Sequence, residues 1–470
     1  MMSEYQNYLT RRTFLGRTSC GLGAAALSDL FTSSPSVLAA EGAGRTSPQA
    51  KAKRVIYLHM SGGPSQLETF DPKPGLSRWD GKPLPPEIIG NQRLTTMTSG
   101  QGSLNVMASK HEFAKCGQVG MNMNTLFKHL PEIADDICMI RGATTDPINH
   151  DPAVTFLQTG SPLSGRPSMG SWLSYGLGST NENLPAFIVL LSGGGQPVPS
   201  RYWHNGFLPS RHQGVKFQSS GDPVLFLSNP KGMSDLNRKK TIDRINAFNQ
   251  LKHEQSGDSE IEARIDAFQL AYRMQSSVPG LMDLSQEPKD VLESYGVQPG
   301  KASFASNCLL ARRLAEAGVR FIQLYDRGWD HHDGITNAIR GKIASVDRPT
   351  TALLKDLKER GMLEETLVIW GGEFGRTTYA QTRNRNFGRD HHPACFSMWM
   401  AGGGIRPGMI HGQTDDFSYN VTENAVHVHD LQATILHLLG IDHEDLTFRF
   451  KGRDFRLTDV HGKIVKEIMS

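Results

Sequence analysis

Short apolar runs, rich in β-branched residues, recur along this chain, and most of them close on a glycine-rich turn. They fall at residues 54–60 (RVIYLHM), 137–140 (ICMI), 185–191 (PAFIVLL), 319–325 (VRFIQLY), 366–370 (TLVIW) and 395–401 (CFSMWMA). Runs that are continuous rather than alternating read as strands buried on both faces, the mark of a parallel sheet. Helical spacing fills the intervals. Residues 307–317 predict a helix stopped by Gly318, residues following Gly334 a helix to about Leu357, and residues 429–439 a helix stopped by Gly440. Residues 153–158 predict a helix with Asp151 as N-cap, Pro152 at its first position and Gly160 as its stop, which leaves His150 at the helix N-terminus. A further helix is predicted over 123–128, and a pair of amphipathic helices inserted over the sheet at about 229–277. Strand and helix alternate, so the expected fold class is α/β, a doubly wound and mostly parallel sheet with helices on both faces.

Ligands in such folds gather off the carboxyl ends of the strands, and there this chain is dense in charge. The strand at 366–370 runs through Gly371 and Gly372 to Glu373 and Arg376, and Asp390, His391 and His392 follow in the same predicted loop region. The strand at 319–325 opens on Asp326, Asp330, His331, His332 and Asp333. Carboxylate and imidazole together suit zinc, manganese or iron, with calcium also a candidate, and two such clusters can hold one divalent ion or two. Only one imidazole of an adjacent pair reaches an ion, because neighbouring side chains point apart, so either His331 or His332 and either His391 or His392 is the expected ligand. Arg376 and Arg389 have the planar forks that grip a phosphate or sulfate oxyanion, or equally a carboxylate of the fold. Glu68 and Asp71, beyond the turn that ends the first strand, read either as functional acids or as solvated loop.

Composition narrows the class. With 38% hydrophobic residues in 470 the chain builds an ordinary globular core, and a formal charge of +3 without a dense Lys/Arg run argues for no special nucleic-acid or membrane affinity. Residues 1–40 read as a twin-arginine signal peptide: Arg11-Arg12, a short apolar stretch over 21–27, and small residues at 37–40 for cleavage. The expected partner is thus the twin-arginine export machinery and the expected location periplasmic or extracellular, with no transmembrane segment. Residues 41–52 form a polar linker and 53–470 one domain. Cys116, Cys138, Cys308 and Cys395 lack paired metal spacing, so no cysteine-built zinc site is expected.

The segments HMSGGPSQLETFDPKP, NHDPAVTFLQTG, GWDHHDG, GGEFGRT and GRDHHP, behind an Arg-Arg leader, together resemble the bacterial DUF1501 family. That family is related to the alkaline-phosphatase and sulfatase superfamily, and the resemblance covers essentially the whole mature chain. It implies an alkaline-phosphatase-like fold. It places Glu373 where the superfamily has the acid of a strand-ending Asp-His-Gly, Asp330 with His331 or His332 in the loop supplying an Asp and a His, and His391 or His392 at the late histidine. His150 takes the place of the nucleophile, usually Ser, Thr or a modified Cys, and Met60 and Ser61 stand where the superfamily has Asp.

The resemblance implies an exported sulfatase-like or phosphatase-like hydrolase whose substrate is a small anionic ester or a sulfated glycan. His150, Arg376 and Arg389 are its expected catalytic residues, and Asp330, His331, His332, Glu373, Asp390, His391 and His392 its metal candidates; a remodelled two-ion site would add Glu68 or Asp71. The alternative is a non-catalytic module for an anionic ligand that kept the crevice.

Overall fold

The computed structural model describes residues 50–195, 197–224, 227–229, 231–381 and 386–470. The twin-arginine reading falls outside them. Among the described residues, nine strands form the central sheet: β1 (Arg54–Ser61), β2 (Ile137–Thr144), β3 (Phe187–Gly193), β4 (Val215–Phe217), β5 (Phe321–Arg327), β6 (Thr366–Gly371), β7 (Phe396–Ala401), β8 (Met409–His411) and β9 (Val426–His427). Their order is β8-β2-β7-β6-β1-β5-β3-β4, with β9 also paired to β2. All pairings are parallel except those of β7, which runs antiparallel between β2 and β6. The expected mostly parallel α/β sheet is present, with one reversed strand inside it.

Period-two alternation divides the core into two faces. Ile56, Leu58 and Met60 point toward the helices Phe304–Glu316 and Ile335–Glu359, whereas Val55 and Tyr57 point toward His150–Thr159, Met169–Leu177 and Val428–Leu438. Each such buried aliphatic side chain contributes about 1.5–3 kcal/mol. The predicted helical pair is present as Asp235–Ser256 and Ser259–Met282.

Four local expectations are corrected. Residues 123–128 are not helical: Met121–Asn124 is a strand paired with Phe113–Cys116, and its M-N-M-N alternation buries both methionines. The helix after β2 begins at His150 with Asn149 as N-cap, because Asp151 turns outward to Arg201 and the Tyr202 hydroxyl. The region beyond Glu373 is not a loop but an antiparallel hairpin of Gly375–Gln381 and Gly388–His392, buried along both strands. Finally, Lys51 and Ala52 do not belong to a free linker, since both amides bond to the Leu438 carbonyl.

Candidate metal centre

The carboxyl ends of β1, β5 and β6 lie side by side, and the chain turns sharply at each. Gly62 follows β1 with φ of 117°, where a Cβ would stand 2.5 Å from the Asp330 amide nitrogen; only glycine lets these two turns approach so closely. Gly388 does the same for the hairpin, packing against the backbone of His332 and Asp333.

Four side chains converge there: His150 from the start of its helix, Asp330 and His332 from the turn after β5, and His391 from the hairpin. One ligand-capable atom of each lies within 4.8 Å of the others. Asp330 Oδ1 is the hub, 2.8 Å from His332 Nε2, 3.2 Å from His150 Nε2 and 3.5 Å from His391 Nε2. The Nε2 atoms of His332 and His391 are 3.0 Å apart.

The opposite nitrogen of each ring has its own acceptor. His150 Nδ1 donates to Glu373 Oε1 at 2.6 Å, His332 Nδ1 to Gln381 Oε1 at 2.6 Å, and His391 Nδ1 to the Ile148 carbonyl at 2.9 Å. A proton held on each Nδ1 leaves the Nε2 lone pairs facing one another and a carboxylate oxygen. Such an arrangement repels itself unless a proton or a cation lies among the four, so the donor set fits a divalent ion.

Electrostatics agree. Burial opposes ionisation of Asp330, but its bonds to His150, His332 and His391 and the charge of Arg376 hold its carboxyl well below the usual range. Burial likewise opposes charge on Glu373 and on His150. For Glu373 the hydrogen bond and charge of His150, with His59, outweigh it and lower the acid; for His150 the bond to Asp330, then the bond and charge of Glu373, outweigh it and raise the imidazole. His391 goes the other way: burial, with the Arg376 charge, pushes it down to about 4.

Glu373 is fully buried behind His150. Its two oxygens accept from the Gly62 amide at 3.0 and 3.2 Å, and Oε2 lies 3.5 Å from His59 Nε2. It therefore orients a cluster residue rather than joining the four. Arg376 spends its guanidinium on Asp330 Oδ1 at 2.6 Å and on the carbonyls of Gly62, Gly63 and Arg389. Arg389, also fully buried, grips Glu68 at 2.8 Å and the carbonyls of Met107, Thr377 and Thr378. Neither guanidinium faces open space.

The remaining candidates lie apart from the cluster. Asp390 accepts from Thr95, from Thr98 at 2.6 Å and from the His391 amide. His392 stacks on Tyr419 and bonds its carbonyl at 2.6 Å, and burial pushes its pKa down to about 4. His331 is buried and likewise pushed down to about 4. Glu68 and Asp71 are fold acids, the first bound by Arg389 and Ser109, the second by Thr414 and Ser418. Sequence reasoning missed Gln381, His59 and the Ile148 carbonyl. Nothing in their spacing marks them, since each is defined by what lies beside it across the fold.

Beside the cluster opens a cavity of about 480 Å³, with His150, Glu373 and Ser61 in its wall.

A family model described as "Protein of unknown function (DUF1501)" matches residues 52–469. No curated protein matches the sequence. Among solved structures, a sulfatase from Pseudoalteromonas sp. is 13% identical at a TM-score of 0.36, covering 84% of this chain and 69% of its own. The lipoteichoic acid synthase LtaP from Listeria monocytogenes is 10% identical at 0.39, covering 87% and 75%. TAB5 alkaline phosphatase, in a mutant form with magnesium bound, is 12% identical at 0.32, covering 84% and 99%.

Proposed function

This chain belongs to the DUF1501 family, whose function is unknown, and from that premise we propose that it is an exported, metal-dependent hydrolase of sulfate or phosphate esters. The observation that carries the reading is the convergence of three Nε2 atoms and one carboxylate oxygen with every Nδ1 engaged elsewhere. His150, Asp330, His332 and His391 would hold one divalent ion, and three imidazoles with one carboxylate favour zinc or manganese. A bound ion would supply Lewis-acid chemistry to an ester oxygen and to water.

The protein's own residues set the geometry. Glu373 fixes the ring of His150, Gln381 that of His332, and Arg376 anchors the Asp330 carboxylate. The helix begins with His150 rather than with Ser or Thr, so no seryl or threonyl ester forms at that position, and the reading assigns the attack to water. The Arg11-Arg12 leader supports export, and among the described residues no helix is long and apolar enough to cross a membrane.

Metal analysis of the purified mature chain, with hydrolysis of 4-nitrophenyl phosphate and sulfate under added zinc or manganese, tests this. The expected result is about one ion per chain and turnover lost in the double variant His332→Ala, His391→Ala. A folded wild type that binds neither metal on titration overturns it. A non-catalytic module for an anionic ligand is the second reading, favoured by the histidine at the helix start; metal binding without turnover of either ester selects it.

A further inference from the structure

The cavity beside His150 has chemistry that the metal cluster does not use. Its floor is His150 and Glu373, and one wall is formed by Val154, Pro197, Val198 and Pro199. Among the described residues that line it, Arg201 is the one lysine or arginine, and it is committed: its guanidinium bonds Asp151 Oδ1, which also accepts from the Tyr202 hydroxyl at 2.8 Å. That pair is neutral as a whole, so the lining offers no unpaired lysine or arginine. A polymer bearing repeated sulfates or phosphates would meet no counter-charge there.

One polar group in the lining is unspent. Ser61, at the end of β1, is 5% exposed and borders the cavity beside His150 and Glu373, and its hydroxyl oxygen is buried without a hydrogen-bond partner. A buried hydroxyl without a partner is destabilising, and an oxygen of a bound ligand would supply that partner.

Resting on the hydrolase reading, we propose that this cavity is the subsite for the alcohol portion of the substrate, that this portion is uncharged and apolar, an aryl group foremost, and that Ser61 Oγ–H donates to the oxyanion beside it. The aryl ring packs against Val154, Val198 and the two prolines, while the esterified anion faces the His150 side. A sulfated glycan is the alternative that the wall disfavours.

The test is calorimetric binding of non-hydrolysable phenylphosphonate and methylphosphonate to the metal-loaded mature chain, beside hydrolysis of 4-nitrophenyl phosphate and glucose 6-phosphate. Phenylphosphonate is expected to bind about tenfold or more tighter than methylphosphonate, a margin lost in Val198→Asp. Ser61→Ala is expected to weaken both phosphonates about equally, by about tenfold. Equal affinity for the two phosphonates, or a preference that survives Val198→Asp, overturns the subsite; tighter binding of a sulfated oligosaccharide than of phenylphosphonate does so too. Unchanged affinity in Ser61→Ala removes the role of that hydroxyl. Phenyl-selective binding without hydrolysis of either ester defeats the hydrolase reading and leaves the subsite standing, whereas hydrolysis without phenyl selectivity does the reverse.

Discussion

His150 Nδ1 lies 2.6 Å from Glu373 Oε1, a bond between the first residue of a helix and a carboxylate 223 positions later, just past β6. It settles which nitrogen of His150 faces the cluster. The Nδ1 proton is directed at Glu373, so Nε2 is the atom presented to Asp330. Glu373→Gln keeps the shape of the acid but removes the charge that holds this tautomer and strengthens the imidazole as a donor. The expected outcome is a folded protein whose metal affinity falls about 10–100-fold, read by competition with a chromophoric chelator. Unchanged affinity would mean that the bond is a packing detail.

The adjacent histidine pairs give a sharper contrast. His391 sits opposite Arg376 in the hairpin and His392 opposite Gly375, and neighbouring strand residues point to opposite sides. His332→Ala and His391→Ala are each expected to abolish stoichiometric metal at micromolar supply. His331→Ala and His392→Gln are expected to keep it, although His392→Gln weakens the bond to Tyr419 and lowers stability by about 1 kcal/mol. Elemental analysis of the four proteins, each first shown to be folded, decides between them. Metal lost on replacing His331 and retained without His332 would reverse the assignment.

Much of the sheet was legible because its strands are unbroken apolar runs, and residues 54–60, 185–191, 319–325 and 366–370 all lie in strands close to the expected bounds. The hairpin was not. Gly388–His392 reads GRDHH, with no apolar alternation, because both its faces are buried against polar partners: Glu68 for Arg389, Thr95 and Thr98 for Asp390, Tyr419 for His392. The site was legible as a region rather than as a set. Residue type and strand ends brought Asp330, both histidine pairs and Glu373 into view; which histidine faces inward depends on a hairpin register that local sequence does not encode. His150 at a helix N-terminus was visible, but its place beside Asp330 follows only from β2 and β5 lying in one sheet.

Arg389 was a candidate oxyanion clamp, and its burial predicts another behaviour. Its guanidinium meets Glu68 at 2.8 and 3.1 Å with no access to solvent. Arg389→Met strands the Glu68 carboxylate without its counter-charge and is expected to cost about 3–5 kcal/mol in chemical denaturation. The double variant Arg389→Met, Glu68→Leu is expected to recover most of that loss, because no lone charge then remains buried. A single variant that keeps full stability but loses affinity for phosphonate would return Arg389 to the binding site.

Acid stability can be tested away from the metal cluster, at His212. Its Nδ1 bonds the Ser174 hydroxyl at 2.9 Å and its Nε2 faces the Arg211 Nε–H at 3.4 Å, so both nitrogens are served by the neutral ring. Burial, aided by the Arg211 charge, pushes its pKa from 6.5 down to about 4. Well above pH 6.5 the ring is neutral in both folded and unfolded chains and costs nothing. As pH falls from about 6.5 toward about 4, the unfolded chain takes up a proton that the folded one refuses, and stability declines; below about 4 both are charged and the loss levels off. Between about pH 7.5 and about pH 5 this residue alone removes about 2 kcal/mol. His212→Gln retains a side-chain hydrogen-bonding group but cannot titrate, so the difference between wild type and variant in urea unfolding should narrow or invert by that amount as pH falls. A difference independent of pH would show that His212 is charged in the folded protein or exchanges its proton freely with solvent.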